Sequence, residues 1–227
     1  MSPEHDFLSF DLRSAGKLYE RGALSVHALS SREPLVVNDA SSCWVLVTEG
    51  EAVATLGRER FSLRAEHYLT APGPLSIAGG AGLAIVLANY RSVRQLGGPL
   101  EPAGRLRYVD GCSDTLLVCP PRLGEPCLNH LHIPAQTDQS EYTHPSLRVG
   151  VIARGRGVCR TPAGDVPLTQ GLGWLIPSGL RHSFITREHA LDVFAWHPDS
   201  DFGPTDEDHP MINRTLLSHS KKVASSP

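Results

Sequence analysis

The chain has 227 residues, of which 41% are hydrophobic and 20% are charged, and its formal net charge is −3. This composition is typical of a globular protein, and the weakly acidic balance excludes the basic surface that nucleic-acid partners require. The sequence contains no apolar run of about 18 residues, so we expect neither a membrane span nor a membrane partner. The acidic N-terminal segment lacks the apolar stretch of a secretory signal.

The predicted elements are short β-strands separated by turns. Gly occurs 21 times and Pro 18 times. Runs rich in Val, Leu, Ile and Thr lie between them, at residues 43–50, 82–90, 114–119, 147–154, 173–179 and 191–197. Such spacing predicts an all-β sandwich or barrel. Near the start, residues 14–22 are compatible with one or two helical turns.

The order of strands and turns repeats in the two halves of the chain. Turns are predicted at Gly50, Gly57 and residues 71–73, and again at Gly155, residues 162–165 and residues 177–179. Two tandem copies of one β-unit are the natural interpretation. The predicted divisions are a first barrel, a linker rich in Gly and Pro, a second barrel and a disordered tail, at residues 1–93, 94–107, 108–215 and 216–227.

The cysteines indicate the compartment. Cys43, Cys112, Cys119, Cys127 and Cys159 are odd in number and widely spaced, and they form no C-x-x-C motif. This pattern favours reduced thiols, so we expect a cytoplasmic protein.

One segment of the second half carries a specific pattern. Gly171, Pro177, Gly179 and His182 have the spacing G-x5-P-x-G-x2-H, in which the glycines and the proline supply turn chemistry. The pattern resembles the second motif of the cupin superfamily, whose members are double-stranded β-helix (jelly-roll) barrels. The resemblance covers the second half well and the first half weakly. It implies two tandem cupin barrels with His182 pointing into the second; a turn beside a surface histidine is the alternative.

The first cupin motif, H-x-H-x3-4-E-x6-G, is matched only in part. With Gly155 as its last glycine, Tyr142 and His144 take the histidine positions and Arg148 takes the glutamate position. Alternation along a strand places Tyr142 and His144 on one face. The resemblance implies one divalent metal ion bound by His144, His182 and Tyr142, with iron expected first and Zn, Ni, Mn or Cu as alternatives. The phenol would ligate as a phenolate or serve as a general base.

Two further histidines precede this motif. His130 and His132 share one face of a predicted strand at residues 127–135. If that face is the barrel interior, His132 completes the metal shell and both histidines contact the substrate. Otherwise they point to solvent or form local hydrogen bonds, and both interpretations stay open. Glu141 lies on the opposite face from Tyr142, and only a bulge would bring it to the site.

Arg148 changes the charge of the predicted site. Its planar fork suits bidentate capture of a carboxylate or phosphate, so we expect it to act in catalysis by holding the anionic group of the substrate. Pairing with a protein carboxylate such as Glu141 is the structural alternative, because a buried arginine requires an anionic partner.

The corresponding positions of the first half carry no set of metal ligands. They are Val37, Asp39 and Cys43 in the first motif and Ile77 in the second, and His67 falls outside both. The first barrel is therefore predicted to be a structural or dimerising copy, and we expect a homodimer.

An acidic segment at residues 195–215 follows the last predicted strand. Acidic runs are usually solvated loops, but apolar residues among these charges indicate packing. We expect a flap over the barrel mouth that brings Asp206 or His209, a candidate catalytic residue, near the site.

Two function classes remain. The first is a metal-dependent cupin enzyme acting on a small organic acid, as a non-haem iron dioxygenase or a lyase. The second is a non-catalytic cupin that binds or senses a small molecule without an essential metal. Fold alone does not separate them, but two histidines and a phenol on neighbouring strands favour the enzyme. No helix-turn-helix segment accompanies the barrels, which argues against a transcriptional role.

Overall fold

A computed structural model describes residues 6–13, 16–30 and 32–209. These residues form seventeen β-strands and a 3-10 helical turn at Val109–Gly111, which confirms the all-β prediction. The strands are β1 (Leu8–Asp11), β2 (Gly16–Arg21), β3 (Leu24–Ala28), β4 (Leu35–Val37), β5 (Ser41–Leu56), β6 (Glu59–Arg64), β7 (Tyr68–Pro72), β8 (Leu75–Ala88), β9 (Gln95–Gly97), β10 (Leu106–Arg107), β11 (Ser113–Val118), β12 (Cys127–Ile133), β13 (Arg148–Thr161), β14 (Gly164–Thr169), β15 (Leu172–Ile176), β16 (Ser183–Ile185) and β17 (Leu191–His197). Within the described ranges, no helix is long and apolar enough to cross a membrane. The tail predicted at residues 216–227 lies outside the described residues.

The strands pair antiparallel in two sheets. The first sheet has eight strands, in the order β2-β3-β8-β5-β7-β9, with β4 beside β8 and β6 beside β5. The second has nine, in the order β1-β15-β13-β17-β12-β11-β10, with β14 and β16 beside β13. Residues 16–97 thus supply the first sheet, and residues 106–197 supply the second together with β1.

The first strand crosses to the second sheet. β1 pairs with β15, so that Leu8 lies opposite Leu175 and Asp11 opposite Leu172. The predicted division of the chain therefore differs from the structure at its N-terminal end. The physical reason lies in the sheet. β13 pairs with one edge of β15, and β1 supplies hydrogen-bond partners for the backbone groups of the other edge.

The described residues form three hydrophobic clusters, and successive side chains of a strand alternate between two of them. β5 places Cys43 in a cluster built from the first half and its neighbour Trp44 in a shared cluster. β13 likewise places Ile152 in a cluster built from the second half and Val151 in the shared one. In the shared cluster the ring centroids of Trp44 and Trp196 are 5.3 Å apart. Each half thus has a hydrophobic cluster of its own, and the two sheets pack against each other through the shared cluster.

The turns predicted at Gly50 and Gly155 are bends within long strands. β5 runs through Gly50 and β13 runs through Gly155, with φ of 70° and 80° respectively. Register shifts beside both glycines let each strand turn a corner and pair on both sides of it. The helical turn expected at residues 14–22 is also wrong, since Gly16–Arg21 is strand β2 and pairs with β3.

Candidate functional site

A cavity of about 320 Å³ opens inside the second half of the chain. Its apolar wall includes Trp174, Ile176 and Phe184. The polar residues that line it are Arg107, Tyr108, Asp114, Asn129, Tyr142, His144, Arg148, His182 and His197. The cavity thus brings together the phenol, the two imidazoles and the guanidinium group that the two motifs singled out.

Backbone hydrogen bonds fasten the two motif segments to each other. Tyr142 N donates to His182 O and His182 N donates to Tyr142 O, both at 3.0 Å, so the two residues form an isolated antiparallel bridge. Gly179 N donates to His144 O at 2.9 Å. The turn at Gly179, which has a φ of 74°, therefore holds His144 beside His182.

Three rings meet at this bridge. The centroids of Tyr142 and His182 are 4.6 Å apart, those of Tyr142 and His144 5.2 Å, and those of His144 and His182 5.1 Å. His182 Nδ1 donates to Leu180 O at 2.8 Å, which leaves the lone pair on Nε2. This buried Nε2 has no hydrogen-bond partner among the described residues. A buried acceptor is costly without a partner, and the lone pair fits a metal ion.

Burial keeps these groups neutral. It lowers the pKa of His144 to about 3, and the charge of Arg148 adds to the effect. Burial also lowers the pKa of His182 and raises the pKa of the Tyr142 phenol. At neutral pH both imidazoles therefore present lone pairs, and the phenol keeps its proton unless a cation displaces it.

Arg148 leaves one edge of its guanidinium group open. Nη1 donates to the backbone and hydroxyl oxygens of Ser146, and Asp199 lies 3.8 Å away. Neither Nε nor Nη2 donates a hydrogen bond to a residue of the described ranges. Glu141 pairs with Arg181, so the protein carboxylate that pairs with Arg148 is Asp199 and not Glu141.

His197 and Asp114 also line the cavity, although no motif pointed to them. His197 ends β17, and alternation along that strand was the signal that could have found it. Its Nδ1 donates to Asp199 O at 2.6 Å, and the Cys127 thiol lies 2.9 Å from Nε2. Burial raises the pKa of this thiol to about 12, so the thiol stays protonated, and Asn129 Oδ1 lies 3.2 Å from the same Nε2. Both ring nitrogens of His197 are therefore engaged.

His130 and His132 lie on the face of β12 that points away from the cavity. Their neighbour Asn129 lines the cavity, so alternation turns both histidines toward the space between the two sheets. There His130 Nε2 and His132 Nδ1 contact the same oxygen of Asp192, at 2.7 and 2.8 Å. The structure therefore brings neither histidine to the predicted metal and substrate site.

The group of His130, His132 and Asp192 could itself hold a metal ion, because one ligand atom from each lies within 4.8 Å of the others. However, the second oxygen of Asp192 accepts a hydrogen bond from Arg154 Nε at 3.0 Å. Arg154 also contacts Glu66 of the first half at 3.3 Å. Burial would raise the pKa of Asp192, but hydrogen bonds from His130, Arg154 and His132 outweigh it and lower this pKa to about 2. Three contacts thus engage the carboxylate, and Arg154 links it to the first half. His130 Nδ1, however, is buried without a hydrogen-bond partner among the described residues, so the group is a second candidate metal site.

The acidic segment after β17 is tied to a neighbouring loop. Asp206 pairs with Arg122 at 2.9 Å. His209 is exposed and is not among the residues that line the cavity, so the structure does not bring it to the site. Residues 210–215 of this segment lie outside the described residues.

The predicted ligand positions of the first half hold no site. Val37, Cys43 and Ile77 are buried in the first half's own hydrophobic cluster, while Asp39 is exposed. His67 Nδ1 donates to a nearby backbone carbonyl at 3.1 Å. The two motif positions of the first half, at Val37, Asp39, Cys43 and Ile77, therefore bring together no set of metal ligands.

No protein-family model and no curated protein matches the sequence. Solved structures do match. A cupin 2 conserved barrel domain protein from Leptotrichia buccalis has a TM-score of 0.60 and 11% identity, over 88% of this chain and 92% of its own. The protein Ylba from E. coli (DUF861) has a TM-score of 0.58 and 15% identity, over 90% and 95%. Salicylate 1,2-dioxygenase from Pseudaminobacter salicylatoxidans has a TM-score of 0.55 and 12% identity, over 76% and 70%. The chain therefore has the fold of cupin-domain proteins.

Proposed function

We propose that the chain is a two-barrel cupin whose second barrel is a metal-dependent enzyme acting on a small organic acid. The separate hydrophobic interiors of the two halves support the two-barrel architecture. The function rests on one observation: two neutral imidazoles, a phenol and the open edge of a guanidinium group converge on one cavity. The first barrel is then a structural copy.

His144 and His182 would hold the metal ion, with Tyr142 as a third ligand. Two nitrogen donors and one oxygen donor suit iron as well as Zn, Ni, Mn or Cu, and three protein ligands leave coordination positions open. The buried Nε2 of His182, which has no hydrogen-bond partner within residues 6–13, 16–30 and 32–209, supports this fit. When bound, the metal supplies oxygen activation or Lewis-acid polarisation of a substrate oxygen.

Arg148 binds and orients the acid. Its Nε and Nη2 can donate two parallel hydrogen bonds to a carboxylate, which permits few poses. Burial lowers the pKa of this guanidinium group, and a bound anion offsets the cost of keeping the charge inside the barrel. The aromatic wall formed by Trp174 and Phe184 excludes water around the acid.

When it is not a metal ligand, Tyr142 serves as a hydrogen-bond donor. Its hydroxyl lies 3.4 Å from Gln139 Oε1 and donates toward it. Gln139 Oε1 also accepts from Phe184 N at 3.2 Å, which fixes the orientation of the amide. Because burial raises the pKa of Tyr142, the phenol retains its proton at neutral pH and can donate a hydrogen bond to a substrate oxygen, whereas a general-base role would require a phenolate that a metal cation stabilises. This role suits a lyase. It is the alternative to metal ligation, and it applies if the metal ion is bound without Tyr142.

A dioxygenase acting on an aromatic acid is the more specific form of the proposal. Salicylate 1,2-dioxygenase shares the fold and has been solved as an adduct with gentisate. The aromatic wall of the cavity and the position of Arg148 suit a flat acid of this kind. A non-catalytic binding barrel is the second candidate, and it is favoured by Arg148 itself, because an arginine in place of the motif's glutamate cannot bind a cation.

Oxygen uptake by the purified protein loaded with Fe(II) tests the proposal. We expect uptake with at least one of salicylate, gentisate or a panel of small aliphatic acids, while elimination products would identify a lyase. His144→Ala should abolish turnover, whereas His67→Ala, in the first half, should leave it unchanged. Turnover retained in His144→Ala would refute the site. Binding of the acids without any turnover would favour the binding barrel.

A further inference from the structure

A carboxyl group that the proposed function leaves unused faces the same cavity. Asp114 lies on β11 opposite Leu131 of β12, and both line the cavity that Arg148 enters. No motif surrounds Asp114, so its role depends on its position alone.

One carboxylate oxygen of Asp114 accepts a hydrogen bond from the protein, and the other is available to a ligand. Asn129 Nδ2 donates to Oδ1 of Asp114 at 2.7 Å. Nothing in the described part of the chain donates a hydrogen bond to Oδ2. Asn129 comes from the adjacent strand β12 and also lines the cavity, so it positions the carboxyl group and leaves Oδ2 available to a ligand.

The surroundings of Asp114 make this oxygen a strong acceptor. The side chain is partly withdrawn from water, and burial raises the pKa of Asp114 despite the hydrogen bond from Asn129. A desolvated carboxylate gains more from a hydrogen-bond donor than an exposed one does. A ligand that supplies this donor therefore replaces the water that the carboxylate has lost.

Asp114 and Arg148 lie in different parts of the cavity. β11 is separated from β13 by β12 and β17 in the sheet order, and the strand registers place Asp114 level with Ile152, four residues along β13 from Arg148. Both side chains nevertheless line one cavity. A small molecule that contacts both must carry its polar groups at separate positions, with an anion toward Arg148.

We propose that Asp114 is the second polar anchor of the substrate, and that Oδ2 accepts a hydrogen bond from a hydroxyl or amino group of the acid held by Arg148. This inference rests on the proposed function for the acid. It narrows the substrate class from small organic acids in general to acids that carry a hydroxyl or amino group at a distance from the carboxylate.

Calorimetric titration with four acids tests this inference without any need for turnover. The probes are benzoate, which lacks the donor, and the ortho, meta and para hydroxybenzoates. The proteins are wild type, Asp114→Asn, Asp114→Ser and the control Asp165→Asn, whose carboxylate lies on β14 with a side chain that is 60% exposed. Circular dichroism shows whether each variant folds. If Asp114→Asn does not fold, Asp114→Ser replaces it in the titrations.

We expect at least one hydroxybenzoate to bind the wild-type protein about tenfold more tightly than benzoate and to lose this advantage in Asp114→Asn. Benzoate should bind wild type, Asp114→Asn and Asp165→Asn alike. If the hydroxyl group adds no affinity, or if Asp114→Asn weakens all four acids equally, the inference is overturned while an acid site at Arg148 stands. If none of the acids binds the wild-type protein, the proposed acid site is overturned together with it.

Discussion

Tyr142 and His182 exchange both hydrogen bonds of an antiparallel bridge, which brings their ring centroids to 4.6 Å. Each residue belongs to a different motif, so the bridge joins the two motifs directly. The phenol and the imidazole are consequently set by backbone geometry, and their approach does not depend on a ligand. A metal ion would therefore find at least these two groups already in place.

His182→Ala should strip the metal from the purified protein, because it removes the buried Nε2 that has no hydrogen-bond partner in the described part of the chain. His132→Ala is the matched variant, since His132 bonds to Asp192 away from the cavity. Elemental analysis of both variants should show metal lost only in His182→Ala. The opposite pattern would place the ion at the Asp192 group.

Arg148→Lys should weaken the binding of benzoate by about 1.5–3 kcal/mol, because lysine keeps the charge but lacks the bidentate fork. Benzamide, which is neutral, should bind both proteins equally in calorimetric titrations. Arg181→Lys is the control, because Arg181 pairs with Glu141 at an exposed position. An equal loss for acid and amide would show that Arg148 is structural.

Asp192→Ala should lower the free energy of unfolding by about 3–5 kcal/mol, the usual cost of breaking a buried ion pair. The variant leaves the buried His130 and the Arg154 guanidinium without the carboxylate that they share. Asp165→Ala, at an exposed position, should change this free energy by less than about 0.5 kcal/mol. Urea unfolding followed by circular dichroism measures both, and similar small effects would mean that the network does not hold the halves together.

Acid should remove the contribution of Asp192. Its pKa is lowered from 3.8 to about 2 in the folded protein. The stabilisation is therefore present above pH ~4 and is lost as the pH falls toward 2, by about 2–3 kcal/mol in total. In urea unfolding at several pH values, the difference between wild type and Asp192→Asn should shrink over this window. A difference that stays constant between pH 4 and 2 would contradict the assignment.

Gly155→Ala should destabilise the second half more than Gly57→Ala destabilises the first. Both glycines have positive φ, of 80° and 60°, which costs an alanine about 1–2 kcal/mol. An added Cβ at Gly155 would lie 1.9 Å from Ala190 O, whereas at Gly57 nothing lies within 4 Å. The clash should add about 2 kcal/mol, measured by urea unfolding. Equal effects would show that the bend in β13 can relax.

The local properties of the chain could be read from the sequence. Short β-branched runs between Gly and Pro predict strands, because turn chemistry and strand alternation act over a few residues. The spacings that singled out Tyr142, His144, Arg148 and His182 are of the same local kind, and these side chains do line one cavity. The predicted turns at Gly50 and Gly155 were wrong, because a glycine with positive φ serves a bend inside a paired strand as well as a turn.

Which face of each strand is enclosed depends on how the sheets pack. Alternation shows that His130 and His132 share a face, but the packing of the second sheet turned that face toward the first half and turned Asn129 toward the cavity. The crossing of β1 to β15 and the approach of Asp114 to the cavity depend in the same way on strands distant in sequence. Burial is a property of two packed surfaces. Local sequence therefore sets the alternation of side chains along each strand, and the partner sheet sets which of the two faces is buried.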